Sequence, residues 1–377
     1  MTGRKPSVRS GGTLGVEEEF YLVDARTRLP VAAADIVLPS VRERGVAATS
    51  ELTPLQIELQ TPVCHSLADV ATALARGRRA LAASAAEHGL GILASGTPVL
   101  DAAPPPPLSA APRYSAMLDR FGALLNGQGT CGLHVHVGVP DREEAVRLCG
   151  HLRPWLACLL AISANSPFSS GHDTRYESWR AVLATRWPTV TPPPVLSGVA
   201  AYESTLERLQ RYGTALSPQG VFWWARPSPG FATVEIRVAD TQPTTEDTLL
   251  LTALTRALVL EALDAVRRNA PVPDVDDLRV NAMLWRAARY GMDGSLIHPE
   301  TDDLVPAPAL FQQLCSQLRS RLERLGDWDT VSRLSERLLS VGSGARRQRT
   351  AAEGGGRLRD AVDAVSVPGR RPLPSHP

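Results

Sequence analysis

Four short stretches of the chain alternate apolar with polar residues at a period of two, the spacing that sends successive side chains to opposite faces of a β-strand. In the first, Leu14, Val16, Phe20 and Leu22 alternate with Gly15, Glu17, Glu19 and Tyr21, while Glu18 intrudes on the apolar side. In the second, Leu55, Ile57 and Leu59 alternate with Gln56, Glu58 and Gln60. The third sets Leu133, Val135, Val137 and Val139 against Gly132, His134, His136 and Gly138, so both histidines point the same way. The fourth sets Val234, Ile236 and Val238 against Thr233, Glu235 and Arg237. Each predicted strand has one apolar and one chemical face.

Helical signals fall between these strands. They are clearest from about Leu67 to Glu87, which is alanine-rich, and from Thr244 to about Arg268, where Thr244 and Asp247 have the spacing of a capping box. Another helix is expected after Pro140, with Asp141 as its cap and Glu143 and Glu144 in the first turn, where the helix dipole favours acids. This order of elements predicts a single α+β domain over residues 13–352, its helices covering one face of a sheet. Residues 1–12 and the stretch from about Glu353 to Pro377 are rich in Gly, Arg, Pro and Ser without apolar periodicity, which predicts flexible ends. Pro104–Pro107 and Pro192–Pro194 read as rigid loops rather than domain boundaries, because apolar patterning resumes after each.

Composition narrows the function. The chain has 377 residues, 44% hydrophobic and 21% charged, enough to bury a substantial core without staples. A formal net charge of +1 supplies no overall field for nucleic acid or an anionic membrane, so neither is an expected partner. The basic start at Arg4, Lys5 and Arg9 lacks the apolar stretch of a signal peptide, and a cytoplasmic location is the default expectation. Five cysteines without a C-x-x-C pair suit reduced thiols better than a disulfide framework or structural zinc. Lys5 is the only lysine, which removes Schiff-base chemistry and a P-loop lysine; anions must be held by arginine or metal.

The polar strand faces carry acids, imidazoles and arginine instead of the assorted polar residues of a merely wetted sheet. With the strands in one sheet, Glu17, Glu19, Glu58, His134, His136 and Glu235 converge on a surface of hard oxygen ligands plus imidazole, suited to Mg²⁺ or Mn²⁺. Either histidine alone reads as a solvated strand residue. The set is different, because crowded carboxylates repel one another and raise each other's pKa, a cost that cations or arginines relieve.

These residues resemble the type-2 glutamate-cysteine ligases, or carboxylate-amine ligases, of the glutamine synthetase superfamily. The resemblance runs through Thr13–Asp24 (TLGVEEEFYLVD), Glu51–Cys64 (ELTPLQIELQTPVC), Thr130–Arg142 (TCGLHVHVGVPDR), Ser163–Phe168 (SANSPF), Arg186–Pro188 (RWP), Thr233–Thr241 (TVEIRVADT), Trp285–Gly294 (WRAARYGMDG) and Gly342–Arg349 (GSGARRQR). It implies the glutamine synthetase catalytic fold, a curved antiparallel sheet with helices on one face and the active site on the other. It also implies an ATP- and Mg²⁺- or Mn²⁺-dependent enzyme that activates an amino acid carboxylate as an acyl phosphate for attack by an amine, with glutamate and cysteine as the default pair. Superfamily members often associate, so a homo-oligomer is compatible.

By motif position, Glu17, Glu19, Glu58 and Glu235 correspond to metal-binding acids, joined by one imidazole of the H-x-H strand, His136 in the first instance, with the choice between His134 and His136 left open. Arg237 of the E-x-R motif faces phosphate, and Glu58, His134, His136 and Arg237 form the catalytic group. Asn165, Arg175, Arg180 and Arg186 lie in the segment that implies contacts to substrate. Arg286 and Arg289, three apart on one helical face, form a further candidate anion site for the nucleotide. The base for the amine is left open among Glu58 and the histidines. Two departures bear on substrate identity: Thr97-Pro98-Val99 lacks a histidine that many relatives have, and Trp224 stands where relatives often place aspartate. The rival readings are an H-x-H metal hydrolase, with zinc on His134 and His136, and a non-catalytic binding relative.

Overall fold

The first alternating stretch folds as the eleven-residue strand β1 (Leu14–Asp24) inside an antiparallel sheet. The computed structural model describes residues 12–101 and 108–368, so the expectations for residues 1–11, Pro104–Pro107 and 369–377 lie outside the described residues. After β1 come α1 (Ala34–Glu43), β2 (Ala47–Ser50), β3 (Gln56–Gln60), α2 (Leu67–Ala86), β4 (Leu90–Leu93) and α3 (Pro112–Phe121). The middle of the chain forms β5 (Gly132–Gly138), α4 (Arg142–Leu152), α5 (Leu156–Ser163), β6 (Phe168–Ser169), β7 (His172–Asp173), α6 (Trp179–Ala184), α7 (Val199–Arg211), β8 (Ala225–Pro227) and β9 (Thr233–Asp240). The remainder forms α8 (Thr245–Arg267), α9 (Asp277–Tyr290), β10 (Ser295–Ile297), β11 (Leu304–Pro306), α10 (Ala307–Leu325), α11 (Trp328–Val341), α12 (Gly344–Gly355), α13 (Leu358–Ala364) and β12 (Ser366–Val367).

Across the sheet run β12, β4, β1, β5, β9 and β8, with β3 pairing β1 and β2 pairing β3. All four stretches with period two are strands of this one sheet. Their apolar faces meet the helices: Leu14, Val16, Val135, Val137, Val234 and Ile236 pack with α2, α4, α5 and α8 in the main core, and Phe20, Leu22, Ile57 and Leu59 pack with α1 and α2. The helix starts are fixed as their residues predict. Asp141 accepts the Glu144 N–H at the head of α4, and Thr244 accepts the Asp247 N–H at the head of α8. The run Arg142–Ser163 has the length and hydropathy to cross a bilayer, yet 83% of its most apolar window is buried within the protein.

Glu18, the residue that breaks the alternation, is buried among the helices with Arg78 of α2. The Arg78 Nε–H donates to it at 2.9 Å, and the Thr248 hydroxyl of α8 donates at 2.6 Å. Arg78 also donates to the carbonyls of Gln242 and Pro243, in the turn that leaves β9. The intruding acid therefore ties β1 to the end of β9 from behind the sheet.

The C-terminal expectation is corrected as far as residue 368. Residues 353–368 complete α12 and form α13 and β12, and β12 pairs with β4. Ala361, Val362 and Val365 are buried against Tyr21, Val23 and Leu93. This packing covers one end of the polar face, so the helices are not confined to a single side of the sheet.

Candidate active site

Strand register brings the chemical residues together. Glu19 stands opposite Glu58, Glu17 opposite His134, and His136 opposite Glu235 in the antiparallel pairings of β1 with β3, β1 with β5 and β5 with β9. Directly opposed side chains on one face are close enough to interact. The result is a diagonal row of acids and imidazoles across four strands, at the floor of a cleft of about 730 Å³.

Within the row, three sets of ligand atoms each lie within 4.8 Å of one another: Glu17–His136–Glu235, Glu17–Glu58–His134 and Glu19–Glu51–Glu58. His134 Nδ1 lies 3.0 Å from Glu17 Oε2, and His136 Nδ1 lies 2.9 Å from the Thr233 hydroxyl. The other ring nitrogen of His136 is buried, has no hydrogen-bond partner, and sits 3.5 Å from Glu17 Oε1. An orphaned imidazole nitrogen beside carboxylate oxygens, with the opposite nitrogen held by a hydroxyl, fits a metal ligand.

The two ends of the row differ electrostatically. Burial raises Glu51 to about 7, reinforced by Glu19. Burial, with Glu51, Glu17 and Glu19 alongside, pushes Glu58 well above the usual carboxylate range, although Gln60 donates to it at 2.6 Å. At the other end, burial would raise Glu235, but Arg237 and Arg226 override it and hold the carboxyl below its ordinary value. Glu17 is likewise lowered against its burial by His134 and His136. Arg113 and Arg237 offset only part of this, so the Glu19–Glu51–Glu58 end, where Glu51 and Glu58 stay raised, has the greater need of a cation.

Glu17, Glu19, Glu58, His134, His136, Glu235 and Arg237 all line the cleft as expected. Arg237 pairs with Glu235, whose second oxygen accepts from Arg226 at 3.0 Å. Arg180 also lines the cleft, but its guanidinium donates to the carbonyls of Arg237 and Val238 and lies 3.8 Å from Asp240; it braces β9.

The other expected anion and substrate contacts are not in the cleft. Asn165 is fully buried, its amide donating to the Ala94 and Thr241 carbonyls and its oxygen accepting from Gln348, so every polar group is spent on the scaffold. Arg175 is exposed in the turn after β7 with φ +60°, and Arg186 is exposed and donates to the Asn126 carbonyl. Arg286 donates to the Ser295 carbonyl and stacks on Tyr290. Arg289 donates to the Arg175 carbonyl and stacks on Tyr176 and Tyr290. The two arginines share a helical face but spend it on aromatic rings and backbone. Of the two departures, Trp224 lines the cleft, whereas Thr97 is buried and donates to the Phe168 carbonyl.

Three cleft residues escaped the alternation. Glu51 lies in the turn between β2 and β3, Arg226 lies on the three-residue β8, and Arg113 opens α3. The nearness of Glu51 to Glu58 within ELTPLQIELQ was the one available signal.

Comparison with known proteins places this arrangement in a family. The model described as "Glutamate-cysteine ligase family 2(GCS2)" matches residues 13–364. A protein of Saccharopolyspora erythraea named "Putative glutamate-cysteine ligase 2-1" is 44% identical over 337 residues, covering 89% of each chain. One of Mycolicibacterium smegmatis, "Putative glutamate-cysteine ligase 2-3", is 40% identical over 355 residues, covering 94% of this chain and 96% of its own. Among solved structures, a glutamate-cysteine ligase from Francisella tularensis in complex with AMP superimposes with a TM-score of 0.64 at 13% identity, over 95% of this chain and 88% of that one. A bifunctional glutathione synthetase from Pasteurella multocida gives 0.64 at 16% identity over 95% of this chain, which spans only 51% of that protein. The fold is that of glutamine synthetase-like ligases. On the extent of the family match and the identity of these relatives, the chain belongs to glutamate-cysteine ligase family 2, and it is a carboxylate-amine ligase.

Proposed function

We propose that the protein joins an amino acid carboxylate to an amine with consumption of ATP, through an acyl phosphate, using Mg²⁺ or Mn²⁺. The observation that carries this reading is the run of three overlapping ligand sets ending at Arg237. A carboxylate does not condense with an amine in water at neutral pH, because its charge repels the nucleophile and oxide is a poor leaving group. Attack of a carboxylate oxygen on the γ-phosphorus of ATP breaks the bond to the β-phosphate oxygen and releases ADP. The amine nitrogen then attacks the acyl carbon, phosphate leaves with the bonding electrons, and the nitrogen gives up a proton.

Glu17, Glu19, Glu51, Glu58, Glu235, His134 and His136 would hold the divalent ions. Bound there, such ions would neutralise charge on the phosphoryl oxygens. Arg237, kept in place by Glu235, presents a guanidinium whose planar fork matches phosphate oxygens. Arg226 secures the other oxygen of Glu235 and so fixes the acid that orients Arg237. His134 holds Glu17 in one orientation. The AMP in the Francisella ligase of the same fold supports a nucleotide site. The acid-rich composition of the ligand sets favours hard divalent ions over the zinc of a hydrolase.

The test is release of ADP and phosphate from purified protein with Mg²⁺-ATP, glutamate and a panel of amines, comparing wild type with Glu58→Ala. Release that needs both acid and amine and is lost in the variant is the expected result. Formation of AMP, or substrate hydrolysis without ATP, would overturn it.

A further inference from the structure

The cleft has a second wall that the phosphate chemistry leaves unused. In the lining of the same cleft, half-buried Phe121, Trp187 and Phe222 form a chain of edge-on rings, with centroids 5.4 Å apart between the first two and 5.7 Å between the last two. Leu216, 39% exposed, extends this apolar lining. At one end the row meets the reacting centre, since the Arg237 guanidinium lies 5.9 Å from the Phe222 ring centroid. At the other it meets Glu51, because Leu52 packs in one cluster with Tyr114, Phe121 and Trp187. Phosphates gain nothing from such a surface, and the short side chain of cysteine would cover little of it. A purine ring or a large apolar side chain would displace water from it, and the guanidinium of Arg113 in the same lining matches a carboxylate, which a purine lacks.

Arg113 supplies the polar counterpart. It lines the same cleft, stacks 4.5 Å from the Tyr114 ring centroid, and donates to the Tyr114 hydroxyl. Arg226 and Arg237 are paired to Glu235 and Arg180 lies by Asp240, whereas no carboxylate among the described residues lies within 4.0 Å of Arg113. Glu51 and Glu58 act on the Arg113 charge from farther off without touching it, so its fork stays open beside the apolar wall and matches an amino acid that keeps its carboxylate free.

We infer that this wall receives an amino acid with an aromatic or large aliphatic side chain as the amine acceptor, its carboxylate held by Arg113. The role as acceptor follows from chemistry. An apolar amino acid acting as acid donor would react through its only carboxylate and leave none for Arg113, whereas an acceptor reacts through nitrogen. The inference rests on the ligase reading above and deepens it.

The test measures ADP release with Mg²⁺-ATP and glutamate while the amine is varied among cysteine, alanine, leucine, phenylalanine and phenylethylamine. Phenylalanine and leucine are expected to exceed cysteine and alanine in kcat/KM by about tenfold or more, the scale on which apolar pockets discriminate. Arg113→Ala is expected to raise KM for phenylalanine and leave that for phenylethylamine nearly unchanged. Leu216→Arg, at an exposed position that need not perturb folding, is expected to lower kcat/KM for phenylalanine more than that for alanine, so that the preference for phenylalanine is lost. Cysteine as the best acceptor, or an Arg113→Ala effect equal for both phenyl amines, would overturn the inference and leave the ligase reading standing. Absence of ADP release with every amine would count against the ligase reading. In that event binding of phenylalanine in the presence of Mg²⁺-ADP, read by tryptophan fluorescence, supports the wall's role if it is lost in Leu216→Arg, and its absence overturns it.

Discussion

Glu51 and Glu58 stand together in the cleft, and desolvation raises both above the ordinary value of 4.5, Glu51 to about 7. Between those values the folded protein binds more protons at Glu51 than the unfolded chain does, so stability from Glu51 is present below about 4.5 and lost as pH rises through about 7, and Glu58 adds to it with the same sign. The metal-free protein should therefore show a falling melting temperature between pH 5 and pH 8, and millimolar Mg²⁺ should restore it at pH 8 far more than at pH 5, where protonated carboxyls bind no metal. Glu51→Gln should flatten the pH dependence and weaken the Mg²⁺ response; calorimetric scans with and without the ion check both. Period-two alternation put Glu17, Glu19, Glu58, His134, His136, Glu235 and Arg237 on one face of the sheet, where the structure gathers them in the cleft, because a strand places every second residue on one face. It was silent on Glu51, which sits in a turn, and on Arg226, whose strand is too short to show a period. Motif position also singled out Asn165, Arg175, Arg186, Arg286 and Arg289, which lie outside the cleft, because a polar side chain that braces the scaffold and one that binds substrate read alike in a linear chain.

At the level of elements, the ion pair of Glu18 and Arg78 joins β1, α2 and the turn after β9. Removing one partner strands a buried charge, a loss of about 3–5 kcal/mol. Glu18→Leu and Arg78→Met should each be strongly destabilising in urea titrations, and the double variant should lose clearly less than the sum. Equal or additive losses would show that the pair does not act as a unit. The same contacts lie directly behind Glu17 and Glu19, so the variants are also expected to weaken Mg²⁺ binding. Alternation marked Glu18 as out of place, yet its partner on the alanine-rich α2 could be found only once the two elements were packed. Capping residues were easier to read, since Asp141 and Thr244 act on N–H groups three residues away.

Over the whole molecule, one sheet serves both the core and the cleft, and the segment after residue 353 closes it. That segment was illegible beforehand because α13 has seven residues and β12 has two, too few to show a period. A chain ending after Gly356 should lose the burial of Val362 and Val365, at about 1.5–3 kcal/mol for each valine, and should uncover the edge of β4. Lower stability in urea and aggregation that grows with protein concentration are the expected results; unchanged melting and solubility would show that α13 and β12 add nothing.

The strands at the margins of the sheet, β2, β8 and β12, are four, three and two residues long, and β8 ends in Pro227. Such stubs give a neighbouring molecule too short a row of backbone donors and acceptors on which to add a strand. The fold thereby guards itself against runaway stacking of one sheet upon the next, and copies of the chain that do meet must recognise each other through side chains.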